Sequence, residues 1–376
     1  MANKPIYLIA TPFFPFKEDW RGGFVEDFAK AMARTGDWDV RVMLLDYKGL
    51  VKDFEVDGIK VMALPFKRLP GMCFPMFYAK ENIATFCRVL KEHGIAPSEV
   101  AVLNAHTAIC TIYAQALDCV TLEHHHDCES FGLHLGWLQW SRIYRWLEKR
   151  LLLPWHRRMT AHVFVSERVR RNFEAAIGKQ VEGYVLYNGV DKRIFPQRAR
   201  LPQNGQLTIG CIGNFERGNE AVSKNQEVLI RSLAGIENVQ VRFIGTGTTQ
   251  KTCENLAKLL GVNCRWDEER RHAELAAWYK DLDLFILPSS VEGFGCVFTE
   301  AYACGVPFIC SDRAGVAELI AGERERWTFK AGDADDLRRK IAAWRERREQ
   351  QKLAEYDIDI LVPRFNEYVR GLIKRQ

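Results

Sequence analysis

The side chains best suited to chemistry lie in one segment, residues 288–309, with the sequence PSSVEGFGCVFTEAYACGVPFI. A carboxylate at Glu292 can accept hydrogen bonds from sugar hydroxyls. Glu300, eight residues later and about two helical turns away, can reach a ribose diol. The small residues Gly293 and Gly295 let a diphosphate approach the backbone N–H groups at the start of the following helix, which form an anion site. The segment therefore predicts a site for a phosphorylated, hydroxyl-rich ligand.

A second group of polar residues is the run His124, His125 and His126, followed by Asp127. Alternate residues of an extended chain share a face, so we expect His124 and His126 to point one way and His125 the other. No pair of ligands at helical spacing accompanies them. Histidines that line a cleft or pack in the interior are therefore favoured over a metal site, and we expect no bound metal.

The segment GTGTTQKT, residues 245–252, is similar to two phosphate-binding motifs. It follows a predicted strand and precedes a predicted helix, as a dinucleotide fingerprint or a phosphate loop should. Both motifs need a glycine where this chain has Gln250, whose side chain would obstruct a tight backbone cradle. We therefore expect a glycine-rich turn beside a ligand cleft, and a dehydrogenase is disfavoured.

These residues need a scaffold in which strands and amphipathic helices alternate, and the hydrophobic pattern predicts one. Two such series, joined by a linker over residues 198–205, predict two doubly wound parallel-sheet domains, as a length of 376 residues allows. Ligands of such sheets gather at the carboxyl ends of the strands. The strands are predicted at residues 5–10, 39–45, 100–103, 120–123, 162–165, 183–186, 207–212, 239–244, 284–287 and 307–310.

Composition is that of an ordinary globular protein, with 47% hydrophobic and 27% charged residues, which excludes disorder and small disulfide scaffolds. The stretch at residues 1–16 is broken by Pro12 and Pro15 and lacks the pattern of a secretory signal. The eleven cysteines form no CxxC pair. The expected location is cytoplasmic.

Charge is concentrated in one segment. The net charge is +5, yet residues 137–171 alone carry nine Arg and Lys against two Glu. The same stretch holds four of the ten tryptophans, at positions 137, 140, 146 and 155. Helical spacing of apolar residues favours a partly core helix. The alternative is a patch over residues 137–158 that binds an anionic membrane surface. Nucleic-acid binding fits poorly, because no recognised motif accompanies the charge.

The pair Glu292 and Glu300 forms an E-x7-E pattern, and its surroundings resemble the retaining glycosyltransferases of the GT-B fold, family 4 (group 1). The resemblance continues along most of the chain, over Gly22-Gly23, Asn104-Ala-His106, residues 161–166, residues 187–191 with Phe195, Gly213-Asn214, Lys224-Asn225 and residues 311–318. It implies an acceptor-binding domain at residues 1–198, a nucleotide-sugar-binding domain at residues 199–355 and a central cleft between them. A C-terminal helix within residues 356–376, with its last helical stretch after Pro363, would cross back to the first domain.

The resemblance also implies roles for single residues. Glu292, His106 and Lys224 would be catalytic, without a metal or other cofactor. His124, His126 and Asp127 would lie on the acceptor side. The donor would be bound by Gly22, Gly23, Gly213, Asn214, Arg217, Lys224, Gly293, Phe294, Gly295, Cys296, Val297 and Glu300.

The implied reaction moves a sugar, with retention, from a nucleotide-diphosphate sugar to a hydroxyl of a glycan or lipid-linked saccharide, as in bacterial surface polysaccharide or glycolipid synthesis. A UDP-sugar is preferred over a GDP-sugar. Asn214 stands where the family has an arginine, and Arg217 is its expected substitute. An epimerase or a non-catalytic sugar-nucleotide-binding subunit stays an alternative.

Overall fold

The computed structural model describes residues 4–17, 22–68, 75–126, 150, 152–197, 205–216 and 224–376. The chain forms two compact units, one of Met1–Tyr187 with Ile358–Gln376 and one of Asn188–Asp357. The domain limits predicted from the sequence, after residues 198 and 355, stay predictions, and the first adjoins residues 198–204, outside the described ranges.

The first unit contains an eight-stranded sheet in the order β3-β4-β2-β1-β5-β6-β7-β8. Only β3 runs antiparallel to its neighbour, and the other described pairs are parallel. The strands are β1 Ile6–Thr11, β2 Asp39–Asp46, β3 Phe54–Val56, β4 Ile59–Pro65, β5 Val100–Ala105, β6 Val120–His125, β7 Ala161–Phe164 and β8 Gly183–Val185.

Helices cover both faces of this sheet. The helices α1 Gly23–Arg34 and α10 Ile358–Ile373 pack on one face, where Phe28 and Phe365 join the core. The helix α2 Ala79–Glu92 packs on the other face through Phe86. The remaining described helices of the unit are α3 Glu167–Ile177, residues 152–156, and the 3-10 turns Pro75–Tyr78, Pro97–Glu99 and Ala108–Ala116.

The second unit contains a six-stranded sheet whose described pairs are all parallel, in the order β11-β10-β9-β12-β13-β14. The strands are β9 Leu207–Ile212, β10 Val239–Ile244, β11 Cys264–Asp267, β12 Leu284–Leu287, β13 Phe308–Ser311 and β14 Thr328–Phe329. The helices are α4 Gln226–Ser232, α5 Gln250–Leu260, α6 Leu275–Tyr279, α7 Cys296–Ala303, α8 Arg324–Trp327 and α9 Ala334–Arg347, with 3-10 turns at His272–Glu274 and Gly315–Leu319.

The prediction of two parallel-sheet domains is confirmed, and each of the ten predicted strands is present within two residues of its expected ends. The last helix, α10, begins at Ile358, within the predicted segment 356–376, but the expectation that its last stretch follows Pro363 is wrong, because the helix contains that proline. Pro363 is the sixth residue of α10, and its missing N–H costs the helix one hydrogen bond but does not end it. Among the described residues, no helix has the length and apolar character needed to cross a membrane.

Candidate active site

The second unit has a switch in strand order that predicts where a ligand binds. From the neighbouring strands β9 and β12, the chain proceeds to β10 and β11 on one side and to β13 and β14 on the other. Such a switch leaves a crevice at the carboxyl ends of the two central strands. Lys224 lies in the connection after β9, and Glu292 lies in the connection after β12.

Lys224 and Glu292 form an ion pair at this switch point. The Lys224 Nζ lies 2.5 Å from the Glu292 Oε2, and the side chains are 30% and 15% exposed. Ser289 Oγ donates to the same carboxylate oxygen at 3.1 Å. The pair therefore places a cation and an oriented carboxylate side by side while both remain accessible to a ligand.

Short contacts fix the loops that carry the pair. Gln226 is buried, and its Nε2 donates to the carbonyl oxygens of Gly213 and Asn214, each at 3.1 Å. Asn225 Nδ2 donates to Ser290 Oγ, which joins the Lys224 loop to the Glu292 loop. The sequence pattern did not single out Gln226 or Ser290 as supports, because nothing in their spacing shows that these loops meet.

Glycines line the site because the backbone approaches closely. A Cβ at Gly213 would lie 3.2 Å from the Lys224 Cγ, and one at Gly295 would lie 3.1 Å from the Glu292 Cγ and 2.7 Å from the Phe298 ring. Gly295 also has a φ of 91° and caps α7. The positive end of the α7 dipole, at Cys296 and Val297, therefore begins next to the Glu292 side chain.

Glu300 is buried within the second unit. Its Oε2 accepts a hydrogen bond from Tyr279 Oη at 2.9 Å, and its Oε1 lies 3.1 Å from His272 Nε2. Burial is the main cause that raises the pKa of Tyr279 well above its usual value, so the phenol stays a donor. The role of Glu300 on a ribose stays a prediction, and its orientation by Tyr279 and His272 was not foreseen from the sequence.

The glycine-rich segment at residues 245–252 is a strand-to-helix turn, as predicted. Gly245 has a φ of 135°, and a Cβ there would lie 2.3 Å from the Gly213 carbonyl oxygen. Phe215 N donates to the Thr246 oxygen at 2.9 Å, and Thr249 N donates to the Phe215 oxygen at 2.8 Å. These glycines allow the turn to pack against the loop after β9.

The first unit has its own switch in strand order, between β1 and β5. His106 directly follows β5, and its backbone N–H donates to the Ala10 oxygen at 2.9 Å. Gly22 caps α1 after β1, with a φ of 90°, and a Cβ there would lie 2.5 Å from the Phe13 carbonyl carbon. Gly22 is thus required by packing, and its role toward a donor, like that of Gly23, stays a prediction.

Backbone strain follows His106 immediately. Thr107 has a φ of 132°, a conformation that β-branched residues rarely adopt, and it begins the 3-10 turn Ala108–Ala116. Such strain persists only where the surrounding structure imposes it and is frequent at functional sites. The sharp turn therefore fixes the direction of the His106 ring at the end of its strand.

Three histidine rings come together at this edge. His106 Nδ1 lies 3.0 Å from His126 Nε2, and the His124 ring stacks on the His126 ring at 4.5 Å. Burial lowers the pKa values of His106 and His124 well below the usual value and that of His126 to about 3. All three rings are therefore neutral at neutral pH. His124 and His126 share a face, as predicted, and His125 points the other way.

The other face of β6 carries a cluster that sequence analysis missed. Glu123 Oε2 lies 2.6 Å from His156 Nδ1, 3.4 Å from His162 Nδ1 and 3.7 Å from His125 Nε2. His156 and His162 are far from Glu123 in sequence, and His125 points away from the His106 group. The concentration of histidines could have revealed the cluster, because six of the nine histidines of the chain lie in or beside β5, β6 and β7.

Two predicted site residues, Arg217 and Asp127, lie outside the described residues, as do the tryptophans at positions 137, 140 and 146. Trp155 is described and packs against the core of the first unit, with the Arg158 guanidinium 5.8 Å from its ring centre. Gly293 and Phe294 are buried beside Glu292, and Asn214 is exposed. The proposed contacts of these residues with a donor stay predictions.

Comparison with known proteins agrees with this arrangement. A family model for "Glycosyltransferase Family 4" matches residues 23–193, and one for "Glycosyl transferases group 1" matches residues 197–358. Glycogen synthase of Mycobacterium tuberculosis is 28% identical over 222 residues, 58% of this chain and 52% of that protein. The chain spans about half the length of this and similar curated relatives.

Solved structures show the same fold over the whole chain. Sucrose-phosphate synthase from Thermosynechococcus elongatus superposes with a TM-score of 0.79 at 18% identity and covers 100% of both chains. Anabaena HepE in complex with UDP and glucose gives a TM-score of 0.69 at 17% identity, covering 98% of this chain and 100% of that one. The fold is GT-B. With both halves matched by family models, the chain belongs to the group 1 glycosyltransferases of family 4.

Proposed function

We propose that this glycosyltransferase moves a sugar, with retention of anomeric configuration, from a nucleoside-diphosphate sugar to a hydroxyl of a glycan or lipid-linked saccharide. The observation that carries the proposal is the ion pair of Lys224 and Glu292 at the strand-order switch of the second unit. The pair joins a cation suited to a diphosphate to a carboxylate suited to sugar hydroxyls.

Lys224 stabilises the leaving diphosphate in this proposal. As the bond between the sugar and the diphosphate breaks, negative charge accumulates on the phosphate oxygens. A preorganised ammonium and a helix N-terminus stabilise a transition state most strongly at the atoms where negative charge develops. The helix N-terminus here is that of α7 at Cys296. Lys224 has three N–H donors, so it can keep its contact with Glu292 while it binds a phosphate oxygen. Arg217, which lies outside the described residues, is the second cation that the family resemblance assigns to the diphosphate.

Glu292 orients the transferred sugar. Its Oε2 accepts hydrogen bonds from both Lys224 and Ser289. Because these bonds fix the carboxylate, they favour a role for Glu292 as an acceptor of hydrogen bonds from sugar hydroxyls over a role as an attacking nucleophile. The incoming hydroxyl then gives its proton to the departing phosphate on the same face of the sugar, which retains the anomeric configuration.

In this proposal His106 contacts the sugar or the acceptor. Its ring is neutral, because burial lowers its pKa well below the usual value. A neutral imidazole can donate from one nitrogen and accept at the other, which suits hydroxyl recognition. The family resemblance assigns His124, His126 and Asp127 to the acceptor side as well, and Asp127 lies outside the described residues.

A UDP-sugar is the preferred donor, and the structure of HepE with UDP and glucose supports this preference. The cationic segment at residues 137–158 would hold the enzyme at an anionic membrane surface, where lipid-linked acceptors are found. Arg150, Arg157 and Arg158 are the exposed basic residues of that segment that the structure describes.

The test begins with a panel of UDP, GDP and ADP and their common sugars, scored by the rise in the thermal unfolding midpoint. The stabilising donor is then used to compare turnover of the wild-type chain, Glu292→Gln and the partly exposed control Glu254→Gln. We expect a large loss of turnover only in Glu292→Gln, because the neutral amide cannot hold the transition state. Near-normal turnover of Glu292→Gln would refute the role of the carboxylate. Binding without turnover in the wild-type chain would favour a non-catalytic subunit.

A further inference from the structure

The cluster on the second face of β6 is separate from the residues of the proposed reaction. Glu123 and His125 alternate with His124 along the strand, so they point away from the His106 group. His162 on the neighbouring β7 and His156, from residues 152–156, reach the same point. The four side chains are mostly enclosed, and their exposed fractions run from 1% for Glu123 to 11% for His125.

The geometry points to a metal site: we propose that Glu123, His125 and His162 bind a divalent transition-metal ion, with zinc as the best match. The three ligand atoms are Glu123 Oε2, His125 Nε2 and His162 Nδ1. Imidazole and carboxylate are ligands that zinc takes in proteins.

The spacing of the ligand atoms fits a tetrahedral ion. Ligands about 2.0–2.1 Å from a tetrahedral zinc lie about 3.3–3.4 Å from one another. The observed separations are 3.1 Å between His125 and His162, 3.4 Å between His162 and Glu123, and 3.7 Å between His125 and Glu123. A six-coordinate ion at similar ligand distances would bring adjacent ligand atoms to about 2.9 Å.

A cation would also satisfy the polar atoms of the cluster better than they satisfy one another. Among the described residues, the enclosed Glu123 Oε1 has no hydrogen-bond partner. His125 Nε2 and His162 Nδ1 lie 3.1 Å apart, so without a cation one of the two nitrogens donates a hydrogen to the lone pair of the other. A cation between the three atoms would let both nitrogens act as ligands, with their hydrogens on the other ring positions.

His156 positions the carboxylate. Its Nδ1 lies 2.6 Å from Glu123 Oε2, a hydrogen-bond distance that is too short for a second ligand on the same ion. Metal-binding carboxylates are commonly held by such outer contacts. The rings of Phe164 and Phe173 surround the group, with centres 4.8 Å and 4.4 Å from that of His125, and they shield it from water.

This inference goes beyond the proposed transfer reaction and does not depend on it. It also departs from the expectation that no metal is held, which was drawn from the spacing of His124 to Asp127 alone. The ligands come from two strands, and their sequence separation hides the site.

The experiment uses the full chain, treated with a chelator, freed of it by gel filtration and titrated with Zn²⁺ against a competing chelator. Bound zinc is measured by elemental analysis. We expect a single zinc ion per chain and a higher thermal midpoint. Glu123→Gln and His162→Gln should lower the affinity more than hundredfold, and His156→Gln by about 10- to 100-fold.

The matched control is His124→Gln, because it changes the adjacent histidine on the opposite face of the same strand. It should bind zinc as the wild-type chain does. Loss of zinc in His124→Gln with retention in His162→Gln would overturn the assignment and place the ion among His106, His124 and His126. Absence of zinc from the wild-type chain at micromolar concentration would also overturn it.

A second measurement does not depend on the folding of any variant. Co²⁺ is added to the metal-free wild-type chain, and its visible absorption reports the coordination number. A strong four-coordinate spectrum that Zn²⁺ removes is expected. A weak six-coordinate spectrum, or one that Zn²⁺ does not displace, would contradict the site.

Discussion

The carboxylate of Glu300 is enclosed in the second unit, and its two oxygens receive hydrogen bonds from different neighbours, Tyr279 and His272. When a buried carboxylate loses such a donor, the free-energy cost of taking the carboxylate out of water remains, but the hydrogen bond that offset this cost is gone. The hydrogen bonds from Tyr279 and His272 therefore orient the Glu300 carboxylate, in addition to its position on α7.

Replacing Tyr279 by phenylalanine should test this support. We expect Tyr279→Phe to lower the free energy of unfolding by about 1.5–3 kcal/mol, as for hydrogen bonds to charged groups. The control is Tyr302→Phe, whose hydroxyl donates to the neutral Gln351 carbonyl oxygen at 2.9 Å and should contribute about 0.5–1.5 kcal/mol. Urea unfolding measures both. A smaller loss in Tyr279→Phe than in Tyr302→Phe would contradict the role of Tyr279.

Stability should fall in acid through the neutral histidines. Burial lowers the pKa of His124 well below 6.5, and both of its ring nitrogens lack partners among the described residues. Below pH 6.5 the unfolded chain binds a proton at this position and the folded chain does not. The contribution is therefore complete above pH 6.5 and is lost as the pH falls, by up to about 1.4 kcal/mol per pH unit.

His124→Phe should remove the contribution of His124 to the slope of the free energy of unfolding against pH. In the presence of a chelator, we expect the variant to be about as stable as the wild-type chain at pH 7.5 and more stable at pH 5, by up to about 2 kcal/mol. Equal slopes for His124→Phe and the wild-type chain would show that His124 titrates alike in both states.

Residue types and spacing predicted Glu292, and the resemblance to family 4 predicted Lys224 and His106. Each of the three follows a strand, and strand ends converge. It did not predict Gln226, Ser290, Tyr279 or His272, whose partners are far away in sequence. The cluster around Glu123 was hidden for the same reason. A strand shows which residues share a face, but it does not show which other strand will be its neighbour.

Among the elements, the buried strands were predicted well because their apolar runs are continuous, as parallel strands covered on both faces require. The strands β3, β4, β11 and β14 were missed. In β3 and β11 the described side chains are half-buried or exposed, so no apolar run marks them. The strand β14 has only two residues, Thr328 and Phe329.

The loops after β9 and β10 are in close contact, which makes Gly245 sensitive to substitution. Gly245→Ala adds a Cβ 2.3 Å from the Gly213 oxygen at a φ of 135°. Gly261→Ala also has a positive φ, of 64°, but meets no atom within 4 Å. A left-handed non-glycine residue alone costs about 1–3 kcal/mol. We expect Gly245→Ala to lose clearly more than Gly261→Ala in urea unfolding, and equal losses would refute the contact.

At the scale of the whole molecule, each unit places its candidate residues at the switch in its own strand order. His106 and Gly22 lie at the switch of the first unit, and Lys224 and Glu292 at that of the second. The prediction of two doubly wound sheets was enough to anticipate these places. Donor base, acceptor and linkage depend on single side chains, and no regular pattern encodes them.

Charge distribution gives a prediction for the membrane. Arg157→Gln with Arg158→Gln should weaken co-sedimentation with anionic vesicles by about 30-fold, since each basic residue near the surface contributes about 1 kcal/mol. Lys251→Gln with Lys258→Gln removes the same charge from an exposed helix of the second unit and should have little effect. Binding that is insensitive to salt and to the arginine pair would contradict the proposed patch.

The central claim is that the donor diphosphate binds at Lys224, and calorimetric titration with the nucleoside diphosphate selected by the panel tests it most directly. Lys224→Met should weaken binding by about 10- to 100-fold, as loss of a charged hydrogen bond implies. Lys251→Met, in the helix after the glycine-rich turn, should bind as the wild-type chain does. Unchanged binding in Lys224→Met with loss in Lys251→Met would contradict the account and assign the phosphates to residues 245–252.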